Sequence, residues 1–204
     1  MKNNKTFLVV LVVFIGIMVA AAVLYNSLGD QYAPNSLVTQ PTTEPEITAD
    51  ITDSDATAST TTAATPMAPD FTVTNAAGQP VNLYDFLGKP IIVNFWASWC
   101  GPCRSEMPDI QAAYETYGEE IHFLIVNLTD GSRETVETAT DYITQEGYTF
   151  PIYFDTTLSA ASSYGAYSIP MTFFIGAEGQ PIARYSGAMS ADILQQGIDM
   201  LLGE

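Results

Sequence analysis

Trp99-Cys100-Gly101-Pro102-Cys103 holds both cysteines of this 204-residue chain, separated by two residues. The run before it, Ile91-Ile92-Val93-Asn94-Phe95-Trp96, is apolar apart from one amide and reads as a buried strand. The run after it, from Arg104 to about Tyr117, reads as a helix. A thiol at the start of a helix feels unpaired backbone N–H groups and the positive end of the helix dipole. Both favour the thiolate, which is the reactive species. Cys100 therefore reads as the nucleophile. Cys103, one turn on, is placed to attack a mixed disulfide formed on Cys100. Pro102 costs little in a first turn, where its missing N–H would be unsatisfied anyway.

The spacing leaves two other readings open. One is a static structural disulfide, although a bridge across two intervening residues closes too small a loop to constrain the unfolded chain much. The other is half of a zinc site. Structural zinc needs about four Cys or His ligands. Beyond the pair the chain offers one histidine, His122, at the start of an apolar run, so no metal is expected.

The pentapeptide Trp99 to Cys103 is the same as the thioredoxin active site. Its flanks, Asn94-Phe95-Trp96-Ala97-Ser98-Trp99-Cys100 and Arg104-Ser105-Glu106-Met107-Pro108, resemble still more the membrane-anchored thiol-disulfide oxidoreductases of the TlpA/ResA type. The resemblance runs from about Ala68 to the C-terminus. It implies an α/β fold, a thioredoxin-like mixed sheet flanked by helices, with an N-terminal hairpin and a helix-strand insertion. It implies Cys100 and Cys103 as the catalytic pair, with no cofactor beyond their redox-active disulfide.

The same resemblance reaches other residues. Tyr167-Ser168-Ile169-Pro170-Met171 is similar to the family loop whose proline is cis and faces the cysteines. There the backbone of Ile169 would pair with an extended substrate. Glu106 matches a glutamate beside the family's active site. It is expected either to carry the proton of Cys103 and raise cysteine pKa values, or to be a solvated acid favoured by the helix dipole. Asn94 stands where thioredoxin has a buried acid, and an amide cannot act as a general base. Trp99 is expected to shield the sulfur and offer an apolar platform. Gly101 and Pro102, shared with thioredoxin, imply reduction as the direction.

Composition narrows the partners. A formal net charge of −17 and a pI near 4.1 argue against nucleic acid, whose phosphates demand clustered Lys and Arg. They also disfavour docking on an anionic membrane surface. The acids are scattered, as solubility alone requires.

Three regions are expected. Residues 1–27 form a cytoplasmic tip and a transmembrane anchor. Phe7 to Tyr25 is uncharged and apolar for 19 residues, close to the ~20 that span a bilayer, and Lys2 and Lys5 precede it. A cleaved signal peptide is the rival, with Ala20-Ala21-Ala22 as small residues for cleavage, but the apolar run exceeds the usual signal core. Residues 28–67 are rich in Thr, Pro and acids and read as a flexible linker with a reach on the order of 35 Å. Residues 68–204 form the thioredoxin-like domain.

Within that domain, Phe71-Thr72-Val73 and Val81-Asn82-Leu83 flank a Gly-bearing turn and read as a hairpin. Met107, Ile110, Tyr114 and Tyr117 mark the core face of the first helix, which Pro108 is expected to kink. Phe123 to Val126 reads as a second parallel strand. Ser132 is expected to cap a helix whose core face carries Val136, Ala139, Tyr142 and Ile143 and which stops at Gly147. Pro151 to Phe154 and Pro181 to Tyr185 read as strands. Ser190 is expected to cap a last helix with Ile193, Leu194, Ile198 and Leu201 on one face.

The expected activity is reduction of disulfides in exported proteins, such as apocytochrome c, outside the cytoplasm, with electrons from an integral membrane thiol donor. The alternatives are a thiol oxidase, a peroxiredoxin-like enzyme and a non-catalytic binding module using the groove beside Pro170. A peroxiredoxin wants threonine three residues before its reactive cysteine, and Ala97 holds that place.

Overall fold

The computed structural model describes Val38–Thr39 and residues 66–203. The apolar run at residues 7–25 and nearly all of the 28–67 linker lie outside the described residues. Among the described residues no helix is long and apolar enough to cross a membrane.

The sheet is built around β4, Ile91–Trp96, in which every residue is buried. (Strand β1, Val38–Thr39, and the hairpin β2, Thr72–Asn75, with β3, Pro80–Asn82, precede it in the chain.) Strand side chains alternate, so Ile92, Asn94 and Trp96 face one layer and Ile91, Val93 and Phe95 the other. On one side β5, His122–Asn127, runs parallel with Val93 opposite Leu124. On the other, β7, Met171–Ile175, runs antiparallel with Val93 opposite Phe173. Beyond these lie β6, Ile152–Phe154, parallel to β5, and β8, Pro181–Ser186, antiparallel to β7. The hairpin adds to β6 and β1 adds to β8, both antiparallel. Among the described residues the order is β1-β8-β7-β4-β5-β6-β2-β3. The β1 strand falls inside the stretch that reads as linker from composition.

Parallel neighbours need a crossover, and helices supply both. Helix α1, Gly101–Tyr117, connects β4 to β5, and α2, Val136–Glu146, connects β5 to β6. Short α3, Ser159–Ser163, and C-terminal α4, Ala191–Leu202, complete the set. Each face of the sheet has its own core. Ile92, Trp96, Met107, Ile110, Phe174, Leu194 and Ile198 pack together under α1, α2 and α4. Val93, Phe95 and Leu124 pack with Phe71, Leu83 and Tyr164 under the hairpin and α3. Full burial of one such side chain contributes about 1.5–3 kcal/mol.

Local chemistry corrects four of the expectations. Helix α1 begins at Gly101, not Arg104, because Cys100 itself is the cap, and it continues through Pro108. Thr135, not Ser132, caps α2: its hydroxyl accepts from the Thr138 amide at 3.1 Å. Ser132 cannot start the helix because the Asp130 carboxylate already holds the Ser132, Arg133 and Glu134 amides in a loop. Val136 is exposed rather than in the core. Ser190 holds the cap position of α4 through its backbone carbonyl, which accepts from Ile193 and Leu194, and not through its side chain.

Candidate active site

The end of β4 delivers the chain to the site. After Trp96 it turns at Ala97, whose carbonyl accepts from the Cys100 amide at 3.1 Å. Cys100 has extended backbone angles and caps α1, with its Sγ accepting from the Cys103 amide at 3.2 Å. That amide and the helix dipole aim positive charge at this sulfur. Pro102 lies in the first turn, and Gly101 and Pro102 are exposed. Cys100 and Cys103 form a disulfide with Cα atoms 5.3 Å apart. Cys100 retains 5% exposure and Cys103 none, so the outer sulfur is the one an incoming substrate meets.

The loop before β7 closes over the pair. The Ile169–Pro170 peptide bond is cis. The Ile169 carbonyl oxygen lies 3.7 Å from Cys100 Sγ. Pro170 is buried, and its carbonyl accepts from the Gly187 amide at 2.9 Å, which ties the loop to the end of β8.

Glu106 follows Cys103 by one turn on the same face of α1. It is buried, not solvated, at 1% exposure. Its carboxylate accepts from Asn94 Nδ2 and from the Met189 amide, each at 2.8 Å. Burial pushes its pKa up to about 7, against the lowering effect of those two hydrogen bonds. Asn94 Nδ2 also donates to Thr172 Oγ1 at 2.9 Å, while Asn94 Oδ1 is buried without a partner. The Tyr185 hydroxyl is pushed up by burial and by Glu106. This polar thread crosses from β7 through β4 to α1 and on to the loop before α4.

Trp99 is 42% exposed beside Cys100, with the Arg133 guanidinium 3.6 Å from its ring centroid. Behind it, Glu134 is fully buried. Its carboxylate accepts from the Ser98 amide, the Ser98 hydroxyl and Asn127 Nδ2 at 2.9, 2.7 and 2.7 Å. Sequence reading passes over Arg133, Glu134, Asn127 and Thr172. The one local signal is Asn127, a polar residue closing an apolar strand. Arg133 and Glu134 look like solvated loop charges until the fold brings Ser98 and Trp99 to them.

His122 belongs elsewhere. It opens β5, at the end of the sheet opposite the cysteines, on the order of 17 Å away at ~3.3 Å per residue. Its ring meets Phe86 edge-on at 5.3 Å, and burial followed by Lys89 lowers its pKa. It cannot join the cysteine pair around one zinc ion.

A disulfide at the N-terminus of a helix, fed by a central strand and faced by a cis-proline loop, defines a thiol-disulfide oxidoreductase of thioredoxin fold. The family profile described as AhpC/TSA family matches residues 65–181. The thiol-disulfide oxidoreductase ResA of Bacillus thuringiensis subsp. konkukian is 32% identical over 129 residues, 63% of this chain and 73% of that protein. The thioredoxin-like protein YneN of Bacillus subtilis is 30% identical over 133 residues, 65% of this chain and 77% of its own. The crystal structure of StoA from Bacillus subtilis aligns with a TM-score of 0.56 and 26% identity, covering 64% of this chain and 97% of that one. That of a DsbF homologue from Corynebacterium diphtheriae aligns with a TM-score of 0.58 and 28% identity, covering 67% and 86%. The chain belongs to the AhpC/TSA family and, within it, to the ResA-type thiol-disulfide oxidoreductases.

Proposed function

We propose that this protein is a membrane-tethered, extracytoplasmic protein-disulfide reductase. The observation that carries the reading is the asymmetry of the pair, Cys100 capping α1 at the surface and Cys103 buried behind it. In the dithiol form the Cys100 thiolate attacks one sulfur of a substrate disulfide. That S–S bond breaks, and the other substrate sulfur leaves as a thiolate and takes a proton from solvent. Cys103 gives its proton to Glu106 and attacks Cys100 Sγ. The Cys100–Cys103 bond forms and the second substrate thiolate is released. Two electrons have passed from the dithiol to the substrate, leaving the protein as the disulfide. A carboxylate with a pKa of about 7 suits this proton transfer at neutral pH.

Regeneration requires a thiol donor, for which an integral membrane carrier is the reading. The tether rests on the uncharged run Phe7 to Tyr25 with Lys2 and Lys5 before it. Exported proteins with disulfides, apocytochrome c among them, are the substrates that the ResA resemblance favours. Ala97, three residues before Cys100, speaks against peroxide chemistry.

The test uses the full-length chain with Cys103→Ser. It should accumulate mixed disulfides that run as reducible adducts on non-reducing gels, while Cys100→Ser should accumulate none. A membrane-impermeant thiol reagent applied to intact cells should label the reduced protein. Adduct-free Cys103→Ser protein would sink the reductase reading, and protection from the reagent would sink the location.

A further inference from the structure

The loop between β5 and α2 is fastened to the approach to Cys100. The Asp130 carboxylate accepts the amides of Ser132, Arg133 and Glu134 at 2.7, 2.8 and 3.0 Å. Gly131, with φ of 73°, donates to the Glu134 carbonyl at 2.9 Å and closes the turn. Glu134 then reaches under the chain to hold Ser98. With Glu134 fixed below, the neighbouring Arg133 lies across the exposed ring of Trp99. A flat guanidinium on an indole is a favourable stack that leaves the edge N–H donors facing outward.

Among the described residues neither Arg133 nor Arg104 forms an ion pair with a carboxylate. Arg104, in the first turn of α1, sits over the Tyr142 ring at 5.1 Å. Glu134, next in sequence to Arg133, is taken up by Ser98 and Asn127, and Asp130, three residues before it, is engaged by its own loop. Its pKa is lowered first by the Glu134 and Ser132 amides, with Arg133 the last contributor. The described domain has four basic residues, Lys89, Arg104, Arg133 and Arg184, among many acids. Two of the four, Arg104 and Arg133, are exposed on aromatic rings without a carboxylate partner among the described residues, and Arg133 lies on the ring next to Cys100.

We propose that the Trp99–Arg133 stack selects disulfide substrates that carry an aspartate or glutamate near the cysteine attacked by Cys100. The inference rests on the reductase reading and narrows it to a substrate class. The arginine is already ordered on Trp99, so little side-chain freedom is lost when a carboxylate docks on its outward edge. Acidic flanks gain a charge-assisted hydrogen bond at the moment the sulfurs meet, and basic flanks meet repulsion.

The test compares two synthetic peptides of one sequence, each with an intramolecular disulfide, flanked by glutamates in one and by lysines in the other. The reduced full chain is mixed with each, and the second-order rate constant is followed by tryptophan fluorescence. At low salt the acidic peptide should react faster by roughly tenfold, a rim-charge effect that high salt flattens. Arg133→Gln should cut the ratio to about threefold or less, and Arg133→Lys, which keeps the charge, should retain most of it. Equal rates in the wild type, faster reaction of the basic peptide, or a ratio unmoved by Arg133→Gln would overturn the inference and assign the stack to shielding Trp99 alone. Inability of the protein to reduce either peptide would overturn the reductase reading and the inference with it.

Discussion

The side-chain amide of Asn94, in the middle of β4, donates to the carboxylate of Glu106, one turn past Cys103, at 2.8 Å. The pair lies inside the core, so the charge of Glu106 has few solvating partners beyond Asn94 and the Met189 amide. Desolvation outweighs both hydrogen bonds, and the carboxyl keeps its proton up to about pH 7.

That shift makes stability depend on pH. In the unfolded chain Glu106 ionises near its ordinary 4.5, and in the fold near 7. Between those values the folded state binds more protons than the unfolded chain, so stability falls as pH rises through the window. The full loss is on the order of 3 kcal/mol. Glu106→Gln has nothing to ionise. It should match the wild type near pH 4 and melt several degrees higher at pH 8, as followed by circular dichroism. The inflection near pH 7 in the rate of mixed-disulfide resolution should disappear in the same variant. A melting difference that does not change with pH would contradict the assignment.

Asn94→Asp puts a second acid against the first. Two carboxyls sharing one buried site cannot both ionise cheaply, so one should retain its proton well above neutrality. The variant should lose several degrees of melting temperature at pH 8 and recover most of the loss at pH 5. A loss that is the same at both values would mean that the amide acts through shape alone.

Gly197 bears on the support behind the site. A methyl group there would meet the ring of Phe174, itself fully buried in β7. Overpacking of this kind costs typically 1–3 kcal/mol. Gly197→Ala should therefore lower the melting temperature by several degrees, because α4 must move off the sheet. Thiol-disulfide exchange below the transition should change less than twofold, because no contact with Cys100 is altered. An unchanged melting temperature would show that α4 shifts freely.

What could be read from the chain and what could not divide along sequence distance. Strand β4, the cap position of Cys100, the first-turn Pro102 and the stop at Gly147 are written in local apolar patterns and backbone preferences. The cis-proline loop needed the resemblance, since spacing alone does not select a cis bond. Glu106 stayed divided between two readings because its burial is decided by Met189, 83 residues further on. The α2 cap falls on Thr135 and not Ser132 because Asp130 claims the amides that Ser132 would serve. Val136 matched a helical period yet faces outward, because a short amphipathic stretch does not fix which flank of its stripe meets the core. Arg133 and Glu134 acquire a role through Trp99 and Ser98, which lie more than thirty residues earlier in the chain.

Glu134 separates holding the site from performing the chemistry. Its carboxylate satisfies the amide and hydroxyl of Ser98 and the side-chain amide of Asn127, all near the turn into Cys100. Glu134→Ala strands these donors, and each buried unpaired group costs about 1–3 kcal/mol. A total loss on the order of 3 kcal/mol is expected, since the site can partly collapse or admit water. The Ser98-Trp99 segment should loosen with it, so the amides of Ser98, Trp99 and Cys100 should exchange hydrogen faster than those of β4. The rate constant for attack by Cys100 should fall by roughly tenfold, because a displaced cap loses the alignment that favours thiolate. Glu134→Gln keeps one acceptor oxygen and most of the shape, and should recover a large part of both losses. Ser98 and Cys100 amides that exchange as slowly in Glu134→Ala as in the wild type would show that the turn is held by the sheet and not by this carboxylate.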